Sequence, residues 1–121
     1  MSMKIAISSE GPSLDDMLDS RFGRAGGFVV VDPETMESTY LGNGAAQMRG
    51  QGAGIQAAEL VAGSGAKLVL TGYVGPKAFN ALQAAGIQVG QDLQGLTVRQ
   101  ALERYQSGQV QTAQTPNAAG R

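Results

Sequence analysis

Lys67-Leu68-Val69-Leu70-Thr71-Gly72-Tyr73-Val74-Gly75-Pro76 is the stretch that decides the fold. Residues 67–71 are an apolar run of strand length, and Gly72 to Gly75 have the composition of a turn. Pro76 stands where a first helical position tolerates a missing N–H. Ala78, Phe79, Leu82 and Ala85 follow at helical spacing, and Gly86 is placed as a C-terminal cap. Ile87-Gln88-Val89 then supplies a short returning strand. Strand, turn, helix and strand in that order predict a parallel βαβ unit.

The same reading extends in both directions. Residues 3–8 alternate into a strand, and residues 27–32 form a continuous apolar strand expected to be buried on both faces. Asp32-Pro33-Glu34-Thr35 is a turn, so residues 37–41 return as an antiparallel partner. A glycine-rich segment, 42–54, feeds a helix whose apolar face is read as Ile55, Ala58 and residues 60–62. Beyond residue 90, Thr97 with Gln100 fits a capping box, followed by Val98, Ala101, Leu102 and Tyr105 at helical spacing. The order predicts an α/β domain over residues 1–108, with a mixed sheet of five strands. Residues 109–121 contain almost nothing to bury and are expected to form a disordered tail.

Right-handed crossovers set the first strand between the hairpin and residues 67–71. The gap between the first strand and residues 67–71 is then a topological switch point, where ligands bind outside the carboxyl ends of strands. Residues 9–26 and 71–75 are the loops that end there.

Composition narrows the chemistry. The chain has 121 residues, the size of one domain, with no Cys and no His. Disulfides, thiolate metal sites, thiol nucleophiles and histidine-based triads are therefore excluded. Nine Lys and Arg against ten Asp and Glu leave a formal charge of −1, so no global field favours nucleic acid. No apolar run approaches the ~20 residues of a membrane span, and residues 1–7 lack the order of a signal peptide. The chain reads as a soluble cytoplasmic protein.

Four constellations could act on a ligand. Gly50-Gln51-Gly52-Ala53-Gly54 opens a helix, where backbone N–H groups and the helix dipole favour an anion. Its spacing is neither a dinucleotide fingerprint nor a Walker A loop, and a flexible connector is an equal alternative. Gly72, Tyr73 and Gly75 belong to a second strand-to-helix turn, which by itself reads as ordinary turn chemistry and gains weight as a donor site from its place at the switch point. Arg21-Phe22-Gly23-Arg24 sets two guanidiniums three residues apart, able to fork onto one polyanion. The alternative for both is surface pairing with Asp15, Asp16 or Asp19, whose carboxylates are expected in a solvated acidic loop. Met48 and Met17 could offer thioethers to a soft ion, although methionines more often fill gaps.

In series, Lys4-Ile5-Ala6-Ile7-Ser8, Ser20-Arg21-Phe22-Gly23-Arg24-Ala25, Gly52-Ala53-Gly54-Ile55-Gln56-Ala57-Ala58, Thr71-Gly72-Tyr73-Val74-Gly75-Pro76-Lys77-Ala78-Phe79 and Ala84-Ala85-Gly86-Ile87 resemble the dinitrogenase iron–molybdenum cofactor biosynthesis family. The resemblance covers residues 3–108. It implies a ribonuclease-H-like five-stranded mixed sheet flanked by helices. It also implies noncovalent binding and carriage of a metal–sulfur cluster, of molybdenum–copper sulfide or iron–molybdenum type. Without thiolate or imidazole, sulfide would supply the metal's ligands. Arg21, Arg24, Met48, Gly50, Gly52, Gly54, Gly72, Tyr73 and Gly75 are then the expected cofactor-binding residues, with no catalytic residue among them. The expected partners are the cluster and proteins that deliver or accept it. An enzyme alternative, phosphate or nucleotide hydrolysis on the same frame, needs carboxylates on central strands for Mg²⁺, and residues 3–8 and 67–71 contain none. A regulatory interaction module is the third reading.

Overall fold

The computed structural model describes residues 3–44 and 52–117. Five strands, β1 (Lys4–Ser9), β2 (Gly27–Val31), β3 (Ser38–Gly42), β4 (Ala66–Leu70) and β5 (Gln88–Gly90), form one sheet in the order β3-β2-β1-β4-β5. The β1–β2 and β2–β3 pairs are antiparallel, while β1–β4 and β4–β5 are parallel. The described helices are α1 (Ala53–Gly63), α2 (Pro76–Ala84) and α3 (Val98–Gln106). This is the mixed α/β sheet and strand order that the sequence predicts. Among the described residues, no helix is long and apolar enough to cross a membrane.

Alternation along the central strands divides the core. Ala6, Phe28, Val30, Val69 and Val89 face α1 and α2 together with Phe22, Val61, Phe79 and Leu82. Ile5, Ile7, Val29, Val31, Leu68 and Leu70 face α3 through Val98, Ala101 and Leu102. Both faces of β1 and β4 are thus covered, and their polar ends Ser8 and Thr71 are fully buried. The Thr97–Gln100 capping box is present in both directions. Residues 10–18 are held beneath α3: Val98 N–H donates to Asp16 O and Arg99 N–H to Leu14 O. The Asp15 carboxylate accepts from Arg99 Nε at 3.0 Å and raises the pKa of that guanidinium.

Two expectations change. The buried face of α1 is Ala53, Ala57, Ala58 and Val61, whereas Ile55 is 39% exposed. A face of small residues lets α1 lie close to α2, since a Cβ at Gly54 would approach Ala78 Cβ to 2.9 Å. The second concerns the expected tail over residues 109–121: residues 109–117 lie along the outer edge of β5, and residues 118–121 lie outside the described residues. Ala113 N–H donates to Val89 O at 2.7 Å, and Gln91 Nε2 donates to Thr115 O at 2.7 Å. Val110 packs on Gly90, where a Cβ would meet its Cγ1 at 2.8 Å. Low apolar content hid this segment, but a sheet edge rewards a strap with backbone hydrogen bonds and needs few large side chains.

Truncation after Gly108 should therefore lower the unfolding free energy by about 1–3 kcal/mol, from lost Val110 burial and edge hydrogen bonds. Urea denaturation of the full-length and shortened chains measures this, and equal midpoints would contradict the docking.

Candidate functional site

The site begins where β1 and β4 end. Ser8 Oγ donates to Asp19 O at 2.7 Å and is hydrogen-bonded to Thr71 Oγ1 at 2.7 Å. Asp19 N–H returns to Ser8 O at 2.9 Å. One step further out, Tyr73 N–H donates to Ser20 O at 2.6 Å and Phe22 N–H donates to Tyr73 O at 3.1 Å. The arginine loop and the β4–α2 turn are thus paired as a continuation of the sheet. A Cβ at Gly72 would stand 2.5 Å from Ser20 O, so this approach requires glycine.

Asp19 organises the loop. Its carboxylate is 6% exposed and accepts from Arg21 N–H at 3.0 Å and Gly26 N–H at 3.1 Å. Arg21 Nε lies 3.4 Å from the same carboxylate, while its side chain remains 60% exposed. Asp15 conforms to the expected solvated acidic loop; Asp19 does not. Two N–H groups and a guanidinium compensate the burial of its charge. Phe22 turns inward, its ring centroid 5.3 Å from that of Phe28, so the flanking Arg21 and Arg24 remain exposed. Asn43, 4% exposed, donates through Nδ2 to Gly23 O at 3.3 Å and Ala25 O at 3.1 Å.

The arc formed by residues 21–24 rests on the N-terminus of α1, which in turn abuts the N-terminus of α2. A Cβ at Gly23 would fall 2.9 Å from Gly54 Cα, and Gly54 in turn abuts Ala78 in the first turn of α2. The arc, the start of α1 and the start of α2 are therefore in contact. Gly52 and Gly75 are the N-cap residues, and neither helix has a side-chain cap. The remote helix α3, by contrast, carries a full capping box. The first-turn amides of α1 and α2 have no acceptor within their own helices. A Cβ at either Gly52 or Gly75 would meet open space. Ile55 at 39% and Tyr73 at 45% exposure add apolar surface beside these turns.

The nine expected residues are distributed accordingly. Arg21, Arg24 and Tyr73 are exposed, and Gly52 and Gly75 each have open space where a Cβ would stand, whereas Gly54 and Gly72 are pressed against protein. Met48 and Gly50 lie outside the described residues. Ser8, Thr71, Asp19 and Asn43 were missed as site-building residues. The polar pair Ser8-Ser9 closing an apolar strand was the available signal for the first of these. Among the described residues, no group of three His, Cys, Asp or Glu could hold a metal ion.

Residues 1–108 match the family model described as dinitrogenase iron-molybdenum cofactor, and the chain belongs to that family. Its structure is similar to the apo form of the orange protein from Desulfovibrio gigas, with a TM-score of 0.95 and 61% identity over 98% of each chain. It is also similar to a putative NifB protein from Thermotoga, with a TM-score of 0.78 and 29% identity over 93% of each chain. Comparison with curated proteins gives no significant match.

Asp19→Ala should cost about 2–4 kcal/mol, because the amides of Arg21 and Gly26 lose their buried acceptor. Chemical denaturation tests this; a change below about 0.5 kcal/mol, typical of surface substitutions, would show that the carboxylate does not organise the loop.

Proposed function

We propose that this chain binds and carries an anionic metal–sulfur cluster, with molybdenum–copper sulfide the specific candidate. The observation that carries the reading is the meeting of two uncapped helix N-termini with the Arg21–Arg24 arc. Family membership and similarity to a relative whose structure is that of its apo form support it. The donor set also suits the ligand. Sulfides on a preassembled cluster accept hydrogen bonds and bring the metal's own ligands, so the protein supplies N–H groups, charge and apolar cover. Ammonium, imidazole or thiolate is not needed.

Each part has a role in this reading. The amides of residues 53–55 and 77–78 point along the helix dipoles at the anion. Arg21, fixed through Nε by Asp19, and Arg24 compensate charge from the open side. Ile55 and Tyr73 reduce water access, which strengthens the electrostatic attraction. Exposure on that side also leaves the cluster reachable by proteins that deliver or accept it. No bond is made or broken by the chain itself; the activity is that of a carrier.

Reconstitution with tetrathiomolybdate and copper tests the function directly. Uptake should give visible charge-transfer absorption and a fixed metal stoichiometry after desalting. Protein that stays colourless and metal-free would overturn the proposal.

Arg24→Ala should weaken that binding roughly ten- to a hundredfold, the equivalent of one charge-assisted hydrogen bond. Arg24→Lys should restore only part, since an ammonium cannot fork onto two acceptors. Wild-type affinity in Arg21→Ala/Arg24→Ala protein at several ionic strengths would exclude an electrostatic seat.

Gly75→Ser separates binding from folding. At φ −78° and ψ 167° its backbone accepts any residue, whereas Gly52 at φ +93° would be strained by a side chain. The hydroxyl can cap α2, so stability should hold or rise by a few tenths of a kcal/mol. Cluster affinity should fall, because that hydroxyl competes for an amide and occupies ligand space. Unchanged affinity, measured by metal titration, would place the ligand elsewhere.

A further inference from the structure

We infer that Asn117, on the strap along β5, is a positioning residue for the cluster seat; this rests on the cluster-binding reading. Its Oδ1 accepts from Val74 N–H at 2.9 Å, while Nδ2 donates to Gly72 O at 2.8 Å. Nδ2 also donates to Asp92 Oδ1 at 2.7 Å. One planar amide therefore grips the carbonyl before Tyr73 and the N–H after it. The N–H and carbonyl of Tyr73 itself are taken by Ser20 and Phe22 from the opposite side. The turn is held from both sides, by the arginine loop on one and by the strap on the other.

The consequence reaches the ligand without contact. Gly75 and the first turn of α2 follow Val74 directly, so the direction of the α2 amides depends on the orientation of that peptide. Tyr73 transmits the same constraint to the peptide that bears Arg21. Asn is suited to this place because it presents an acceptor and a donor together. Aspartate would keep the acceptor, lose the donor to Gly72 O and set a second carboxylate against Asp92. Residue 117 lies beyond residues 1–108, the part that the family model matches.

Two readouts on the full-length protein test the inference. Amide hydrogen exchange of Val74 is followed without ligand, and affinity is measured with tetrathiomolybdate and copper. Asn117→Ala should speed Val74 exchange by roughly tenfold or more and weaken cluster binding by about three- to tenfold. Asn117→Asp should do at least as much. Asp92→Asn/Asn117→Asp should recover part of both losses, because the amide and carboxylate are exchanged across one hydrogen bond. Asparagine is also at home at the positive φ of residue 92, which is 69°. Unchanged Val74 exchange in Asn117→Ala, or faster exchange with unchanged cluster affinity, would overturn the positioning role. If wild-type protein takes up no cluster, the functional reading fails instead, and the inference falls with it.

Discussion

The paired hydrogen bonds between Tyr73 and the Ser20–Phe22 segment are the constraint on which the rest of the site depends. Parallel neighbours such as β1 and β4 normally part at their carboxyl ends, where their loops turn to different helices. Here the buried Ser8–Thr71 contact and the Tyr73 pairing carry the adhesion past the last strand residues. The arginine loop is thereby held against the start of α1, which abuts the start of α2. Glycine at position 72 is the steric condition, because any side chain would collide with Ser20. Breaking this pairing would leave polar backbone groups without partners, at about 1–3 kcal/mol for each one that stays buried.

Electrostatics follow from that geometry. The whole chain carries a formal charge of −1, so its global field does not attract polyanions. Locally, two guanidiniums and two helix N-termini of about half a charge each outweigh the Asp19 carboxylate. The result is a local excess of positive charge on a nearly neutral protein. Such a region suits a compact anion better than an extended one such as nucleic acid. Asp19 lowers the local charge but fixes the loop, a compromise that favours pre-organised donors over raw attraction.

Much of this was legible from residues. Apolar runs placed β1, β2 and β4, and Pro76 and Thr97 marked helix starts, because these signals are local. The Arg21–Arg24 spacing and the glycine-opened helix are the sequence features behind the anion seat proposed above. Ile55 was assigned to the core because of its hydrophobicity, yet the close α1–α2 packing selected Ala57, Ala58 and Val61. Asp19 resembled Asp15 in sequence; only the fold distinguishes a carboxylate facing two loop amides from one facing water. Residues 109–117 bind through backbone, one asparagine and the isolated Val110 and Ala113, and such sparse apolar contacts leave no hydrophobic pattern to read.

The ligand is proposed to sit where the start of α1, the start of α2 and the arginine arc come together. Titration of the ¹⁵N-labelled protein with tetrathiomolybdate and copper, followed by amide NMR shifts, tests this placement most directly. The largest changes should fall on the amides of residues 21–24, 52–55, 75, 77 and 78, with α3 and β3 little affected. Changes centred on α3 or on the β3 edge, or uptake of metal without any change at the helix starts, would contradict it.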